Sequence, residues 1–154
     1  MASDARHRRR RPRQLLADAF ARYVAGSSPE RRARLMRGWT RPILLRRIFK
    51  AMESEFDADQ GQGVDAVMHW EIGGREDGEV DRWQVVIENG RCHAARRLDR
   101  DATITIKLES LQFLELVTGI ASGPELFMSG KLKMEGDVLL AARLTSLFRV
   151  PSRA

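Results

Sequence analysis

Between Asp101 and Phe148 the apolar residues change period repeatedly, with almost nothing spare between the changes, and few folds accommodate that. Ala102, Ile104, Ile106 and Leu108 alternate with Thr103, Thr105 and Lys107, the period-two pattern of a half-buried strand. From Glu109 the spacing becomes three and four, and Leu111, Leu114, Leu116 and Val117 form a helical stripe that Gly119 closes. Ser122 can cap a short second helix that starts near Pro124 and runs to Gly130. Lys131 to Glu135 is strand-like again, with Leu132 and Met134 on one face. Gly136 breaks that strand, and Asp137 can cap a last helix striped by Leu140, Leu144, Leu147 and Phe148.

Upstream, Val64, Ala66, Met68, Trp70 and Ile72 alternate with Asp65, His69 and Glu71. Val80 to Glu88 returns as a second strand with Trp83, Val85 and Ile87 inward. Asn89-Gly90 favours a type I′ turn, because both central residues must take positive φ, and it leads into a third strand over Arg91 to Arg96. With the strands at Ala102 and Lys131, the pattern predicts an α+β fold: a five-stranded, mainly antiparallel sheet with helices on one face.

The C-terminal helices carry more apolar residues than one buried face requires. Phe113 with Leu114, Leu116 with Val117, Phe127 with Met128 and Leu139 with Leu140 are adjacent pairs. Neighbours on a helix point about 100° apart, so each pair widens the apolar arc. Such an arc is either buried in a well-filled core or shared between the core and something else, a partner chain or an apolar ligand.

The run TITIKLESLQFLELVTG followed by GPELFMSGKLKMEGDVLLAARLTSLF resembles the C-terminal half of the sterol carrier protein type-2 family. The residues that carry the likeness are Thr103 to Thr105, Thr118-Gly119, Phe127-Met128, Gly130 to Lys133 and Gly136-Asp137, in order and at family spacing. It covers roughly Arg47 to Phe148, more weakly before Asp101. Met128 departs from the second aromatic that the family often has there. The resemblance implies a sheet and helices that enclose an apolar tunnel for a lipid, with no catalytic residues and no cofactor. The tunnel-lining residues expected from it are Trp83, Phe113, Leu116, Val117, Phe127, Met128, Met134, Leu140, Leu144 and Phe148.

Before this region the chain is basic. Formal charge is +6, and Arg6 to Arg13 reads RHRRRRPR. Like charges this dense repel and offer no apolar face, so residues 1–13 are expected to be a disordered tail. Arg8, Arg9, Arg10, Arg11 and Arg13 suit transient docking on an anionic membrane, each worth on the order of 1 kcal/mol. Non-specific contact with nucleic-acid phosphates, or no partner at all, are the competing readings. No basic strands studded with aromatics supply a base-stacking platform, so no specific nucleic acid is expected.

Leu15, Leu16, Ala19, Phe20, Tyr23 and Val24 make a short amphipathic helix that Gly26 ends. Ser27-Ser28-Pro29-Glu30 starts a second, rich in arginine, which Gly38 stops. Thr40 and Pro42 start a third, with Ile43, Leu44, Ile48, Phe49, Met52 and Phe56 as its stripe. Family domains usually begin with only one such helix, and the third matches it. Residues 14–38 therefore read as a helical extension (a lid, a dimer contact or a membrane-facing helix), and residues 39–150 as the lipid-binding domain.

The sequence has 43% hydrophobic and 31% charged residues, the balance of a soluble globular protein, and no apolar run of the ~18 residues that suggests a spanning helix. The lone Cys92 excludes an intramolecular disulfide and is compatible with a reducing compartment, so cytoplasm is expected. His7, His69 and His93 have no metal-ligand spacing. The acidic residues Glu53, Glu55, Asp57 and Asp59 read as a solvated turn, and His93 could pair with Asp99 or Asp101. No phosphate loop, nucleophile elbow or dinucleotide fingerprint occurs. The expectation is a non-catalytic protein that binds and transfers an apolar lipid inside the cell: a fatty acid, fatty acyl-CoA, sterol or isoprenoid. The alternative is an accessory module that presents lipid or quinone intermediates to a membrane or enzyme complex. Neither oligomeric state nor lipid identity is legible.

Overall fold

A computed structural model describes residues 12–148, apart from the side chains of residues 12–17 and of Val138, Leu144 and Thr145. Arg8, Arg9, Arg10, Arg11 and the Arg13 side chain lie outside what is described. The element order is α1 (Pro12–Ala25), α2 (Pro29–Leu35), α3 (Thr40–Glu55), β1 (Ala66–Gly73), β2 (Asp81–Glu88), β3 (Arg91–Ala95), β4 (Ile104–Glu109), α4 (Ser110–Val117), α5 (Gly123–Met128), β5 (Leu132–Gly136) and α6 (Val138–Leu147).

The five strands form one sheet in the order β3-β2-β1-β4-β5. Every neighbouring pair is antiparallel except β1 and β4, which run parallel at its centre. Asn89 and Gly90 turn β2 into β3 with φ of 53° and 70°, the left-handed pair that a type I′ turn requires. The chain then crosses the outer face of the sheet to begin β4. Gln84 holds that crossing from both ends of its amide: Nε2 donates to Asp99 Oδ1 at 2.8 Å, and the Arg100 N–H donates to Oε1 at 3.1 Å.

Alternation decides which face is buried. Met68, Trp70 and Ile72 of β1 lie beside Val85, Trp83 and Asp81 of β2, and beside Ile104, Ile106 and Leu108 of β4. Met134 and Leu132 extend the same rows onto β5. The opposite face carries an ionic row in which Arg82 meets Glu71 at 3.3 Å and Lys107 meets Glu71 at 3.7 Å and Glu135 at 3.1 Å.

Three helix starts use the expected caps. Ser28 Oγ accepts from the Arg31 N–H, Ser122 Oγ from Glu125 and Asp137 Oδ1 from Leu140. Gly136, at φ +118°, lies so near the Thr103 carbonyl oxygen that a Cβ there would collide with it. Such an approach needs glycine where β5 hands over to α6.

Two helices present other faces than the sequence pattern suggests. In α1, Ala21 and Val24 are buried and Tyr23 is exposed. In α3, Leu45 is buried with Ile48 and Phe49, whereas Ile43 is 49% exposed. Arg41 explains the rotation of α3. Its guanidinium is buried, with Nε on Asp81 Oδ2 at 2.7 Å, Nη2 on the Ile72 and Gly73 carbonyls at 2.9 Å each, and Nη1 on the Met36 carbonyl at 3.3 Å. A residue that binds the ends of β1 and β2 fixes which face of α3 looks inward.

The N-terminal helices join the same core. Val24 and Met36 are buried in one cluster with Phe49, Trp70 and Phe113. Arg32 Nε donates to the Val24 carbonyl at 3.0 Å, neutralising the C-terminal end of α1.

Candidate functional site

The centre of the helical face is a set of rings. Phe49 stacks on Trp83 with centroids 4.5 Å apart and on Phe113 at 5.5 Å. Trp70 meets both phenylalanines edge-on, at 6.2 Å from Phe49 and 5.6 Å from Phe113. Pairs at these separations add about 0.5–1.5 kcal/mol each beyond area burial. Of the residues expected to line a tunnel, Trp83 and Phe113 belong to this filled centre.

Leu116, Val117, Phe127, Met128, Met134 and Leu140 occupy its C-terminal flank. Leu116 and Val117 at the end of α4 are half-buried, as are Ile120 and Ala121 in the following turn. Met134 of β5 and Ala141 of α6 are half-buried against the same cluster, and Leu140 is buried beside them. Phe127 is 49% exposed, Met128 83% and Leu139 82%. The structure thus turns Phe127 and Met128 outward and brings Leu116, Val117 and Met134 to the margin of the core. Leu144 lies among the side chains not described. Phe148 sits elsewhere, its ring 5.9 Å from Phe56, where an isolated bridge and a 2.8 Å hydrogen bond from the Asp57 N–H to the Leu147 carbonyl tie the end of α6 to the end of α3.

The adjacent apolar pairs signal this margin, because an arc too wide for one buried face must put something at its edge. Ile120 and Ala121 follow Gly119 in a turn, outside any periodic pattern, and sequence reasoning missed them.

The polar groups have structural partners. Glu53, expected in a solvated turn, lies within α3, and its Oε1 accepts the Ala94 N–H at 2.7 Å. His93 Nδ1 is 3.4 Å from the same oxygen, so its acidic neighbour is Glu53. Burial first, and the Glu53 charge second, push the Cys92 thiol up to about 12. A thiol so displaced stays protonated and is a poor nucleophile. An open cleft of roughly 750 Å³ lies on the outer face, lined by Gln84, Val86, Arg91, His93, Arg97 and Arg100 among others, away from the apolar margin. Among the described residues no helix is long and apolar enough to cross a membrane.

Comparison with known proteins agrees with this architecture. The human sterol carrier protein 2 is 28% identical over 110 residues, covering 70% of this chain and 20% of that protein. The chain thus spans about a fifth of the length of the curated relatives it matches first. Among solved structures, apo sterol carrier protein 2 from Yarrowia lipolytica superposes with a TM-score of 0.55 at 23% identity, over 70% of this chain and 91% of that one. A stereoselective inverting sec-alkylsulfatase from Pseudomonas sp. superposes with 0.57 at 21% identity, over 68% of this chain and 16% of the sulfatase. Both likenesses concern the fold. The model of the SCP-2 sterol transfer family matches residues 45–149, well over half of the sequence, and the chain belongs to that family.

Proposed function

We propose that this protein binds an apolar lipid between α4, α5, β5 and α6 and transfers it inside the cell without acting on it chemically. The observation that carries the reading is the margin of half-buried apolar side chains, Leu116, Val117, Ile120, Ala121, Met134 and Ala141, beside the exposed Phe127 and Met128. Solvating such groups is unfavourable, and each CH₂ a guest buries against them contributes about 0.8 kcal/mol. A chain of sixteen carbons therefore gains on the order of 10 kcal/mol from an apolar site alone. Membership of the SCP-2 sterol transfer family supports the same reading. A guest gains access by displacement of α6 from β5, because the inner side of this margin is closed by the ring cluster. The arginines of residues 8–13 supply docking on anionic membrane, from which a carrier would load.

Native mass spectrometry of delipidated protein incubated with fatty acids, acyl-CoA and sterols tests the proposal. Retention of one class at a single equivalent is expected. Failure to retain any of the three overturns the reading.

A further inference from the structure

The two halves of the sheet's outer face balance their charges differently. In one half Glu71 meets both Arg82 and Lys107, and Lys107 also meets Glu135, so cations and carboxylates cancel. In the other half, over β2 and β3, Arg91, Arg97 and Arg100 line one open cleft with two carboxylates, Glu88 and Asp99. Arg100 lies 3.0 Å from Glu88, and Arg97 lies 3.8 Å from Asp99, whose other oxygen already accepts from Gln84. Glu88 is the cross-strand neighbour of Arg91 but is engaged by Arg100, and Arg91 has no carboxylate partner among the described residues. Positive charge is therefore in excess on this half.

The cleft is built rather than incidental. Val86 of β2 and Ala95 of β3, both half-buried, point to the outer face beside Arg91 and His93 and give it an apolar floor. Arg97 and Arg100 come from the chain that crosses this face towards β4. Gln84, only 4% exposed, holds that chain through the Asp99 carboxylate and the Arg100 N–H, so the wall stands without a ligand. The roughly 750 Å³ enclosed is within the range of about 300–1,000 Å³ usual for small-molecule pockets.

These features select a ligand chemistry. The two ion pairs on the rim are solvent-exposed, hence weak and open to exchange. An incoming carboxylate would exchange like for like with Glu88 or Asp99. A phosphate monoester carries close to two charges at neutral pH and three acceptor oxygens, which several guanidinium forks can share. A bare phosphate would leave the floor of Val86 and Ala95 uncovered, whereas an ester brings an organic body to lie on it. We propose that the outer-face cleft is a second ligand site, for a phosphate monoester carried on an organic body, with Arg91, Arg97 and Arg100 holding the phosphate. The sheet separates this site from the apolar margin, so the inference does not depend on the lipid-binding reading above. The competing account is a charged face that water and salt alone occupy.

Matched ligands decide between them. The amide NMR signals of the full chain are followed at physiological salt as adenosine monophosphate, adenosine and inorganic phosphate are added in separate titrations. The signals of His93, Ala95, Arg97 and Arg100 are expected to shift and saturate with adenosine monophosphate. Adenosine lacks the charge and phosphate lacks the body, so each is expected to bind at least about tenfold more weakly. Arg91→Gln and Arg97→Gln should each weaken the nucleotide about tenfold at unchanged Tm. Arg82→Gln removes the same charge from the neutral half of the face and should leave binding as it was. Should an arginine variant fail to fold, the ligand series on the unaltered protein still gives the answer. Flotation with phosphatidylcholine vesicles, with and without phosphatidic acid, identifies the source of the ester. A response to phosphatidic acid alone, lost in Arg91→Gln, assigns the ester to a lipid headgroup and keeps the site. Inorganic phosphate binding as tightly as the nucleotide overturns the organic body. Equal effects of Arg82→Gln and Arg91→Gln, or no saturable response to nucleotide or vesicle, overturn the site and leave lipid binding untouched.

Discussion

Arg41 and Asp81 form a buried ion pair, Nε to Oδ2 at 2.7 Å, that joins the start of α3 to the start of β2. Its remaining donors bind the carbonyls at the end of β1 and after α2, so one side chain ties together four segments. Removing one member strands the other charge in the interior. Arg41→Ala and Asp81→Ala are each expected to cost about 3–5 kcal/mol in urea denaturation. Arg41→Lys should recover little, because an ammonium cannot reproduce the planar fork that meets Asp81 and the two β1 carbonyls together. A loss below about 1 kcal/mol for the alanine variants would mean that the clamp is incidental.

Phe113 and Phe127 lie fourteen positions apart and separate stability from binding. Phe113 is fully buried and stacked on Phe49, so Phe113→Ala is expected to cost about 3–5 kcal/mol, through lost transfer energy and the cavity left behind. Phe127 is half exposed, and Phe127→Ala should change stability by no more than about 0.5 kcal/mol. If the α5 edge forms part of the lipid site, Phe127→Ala weakens lipid binding about five- to tenfold, the equivalent of roughly 1 kcal/mol of lost apolar contact. Thermal denaturation and a fluorescent-lipid displacement assay on both variants provide the comparison. Unchanged binding in Phe127→Ala would move the site away from α5.

What the sequence made legible follows from how local each cause is. Strand alternation at Val64 to Ile72 and at Ala102 to Leu108 is legible because one face of the sheet is buried and the other solvated. Asn89-Gly90, Ser122 and Asp137 act on neighbours within three residues, so turn and caps are visible one by one. Arg41 was not legible. In the sequence it is one of many arginines, and its partner Asp81 is forty residues away, brought close only when α3 docks on the end of the sheet. The same docking inverts the roles of Ile43 and Leu45. The parallel pairing of β1 with β4 also escapes local pattern, because a crossing chain can return on either side of a hairpin. Adjacent apolar pairs in α4 and α5 announced a second surface, yet only packing decides that Met128 points outward and Leu126 inward.

Glu53 binds the free edge of β3, its carboxylate accepting the Ala94 N–H at 2.7 Å. An unpaired amide on an edge strand is open to water and to other strands, and the carboxylate covers this one. Glu53→Ala is expected to lower stability by about 1.5–3 kcal/mol, the range for a hydrogen bond to a charged group. Native-state hydrogen exchange should show the loss first at the Ala94 amide. Glu53→Gln keeps an acceptor without the charge and should fall between the two. Unaltered protection at Ala94 in Glu53→Ala would show that water serves this edge equally well.

Cys92 lies beside that carboxylate, and its ionisation couples the fold to alkaline pH. Burial and Glu53 hold the native thiol at about 12, whereas an unfolded cysteine titrates near 8.5. Between these values the unfolded chain has released a proton that the native protein keeps. The native state then binds more protons, so stability must fall as pH rises through this window and is unaffected below it. The slope from this one group approaches about 1.4 kcal/mol per pH unit. Cys92→Ala removes the linkage, so its stability should decline less steeply than that of the unaltered protein between about pH 9 and 11. A thiol reagent at about pH 8 should modify native Cys92 at least a hundredfold more slowly than free cysteine, since the thiolate is the reactive form. Parallel pH profiles for the two proteins, together with prompt labelling, would place the Cys92 sulfur in contact with water and overturn burial as the cause of its raised pKa.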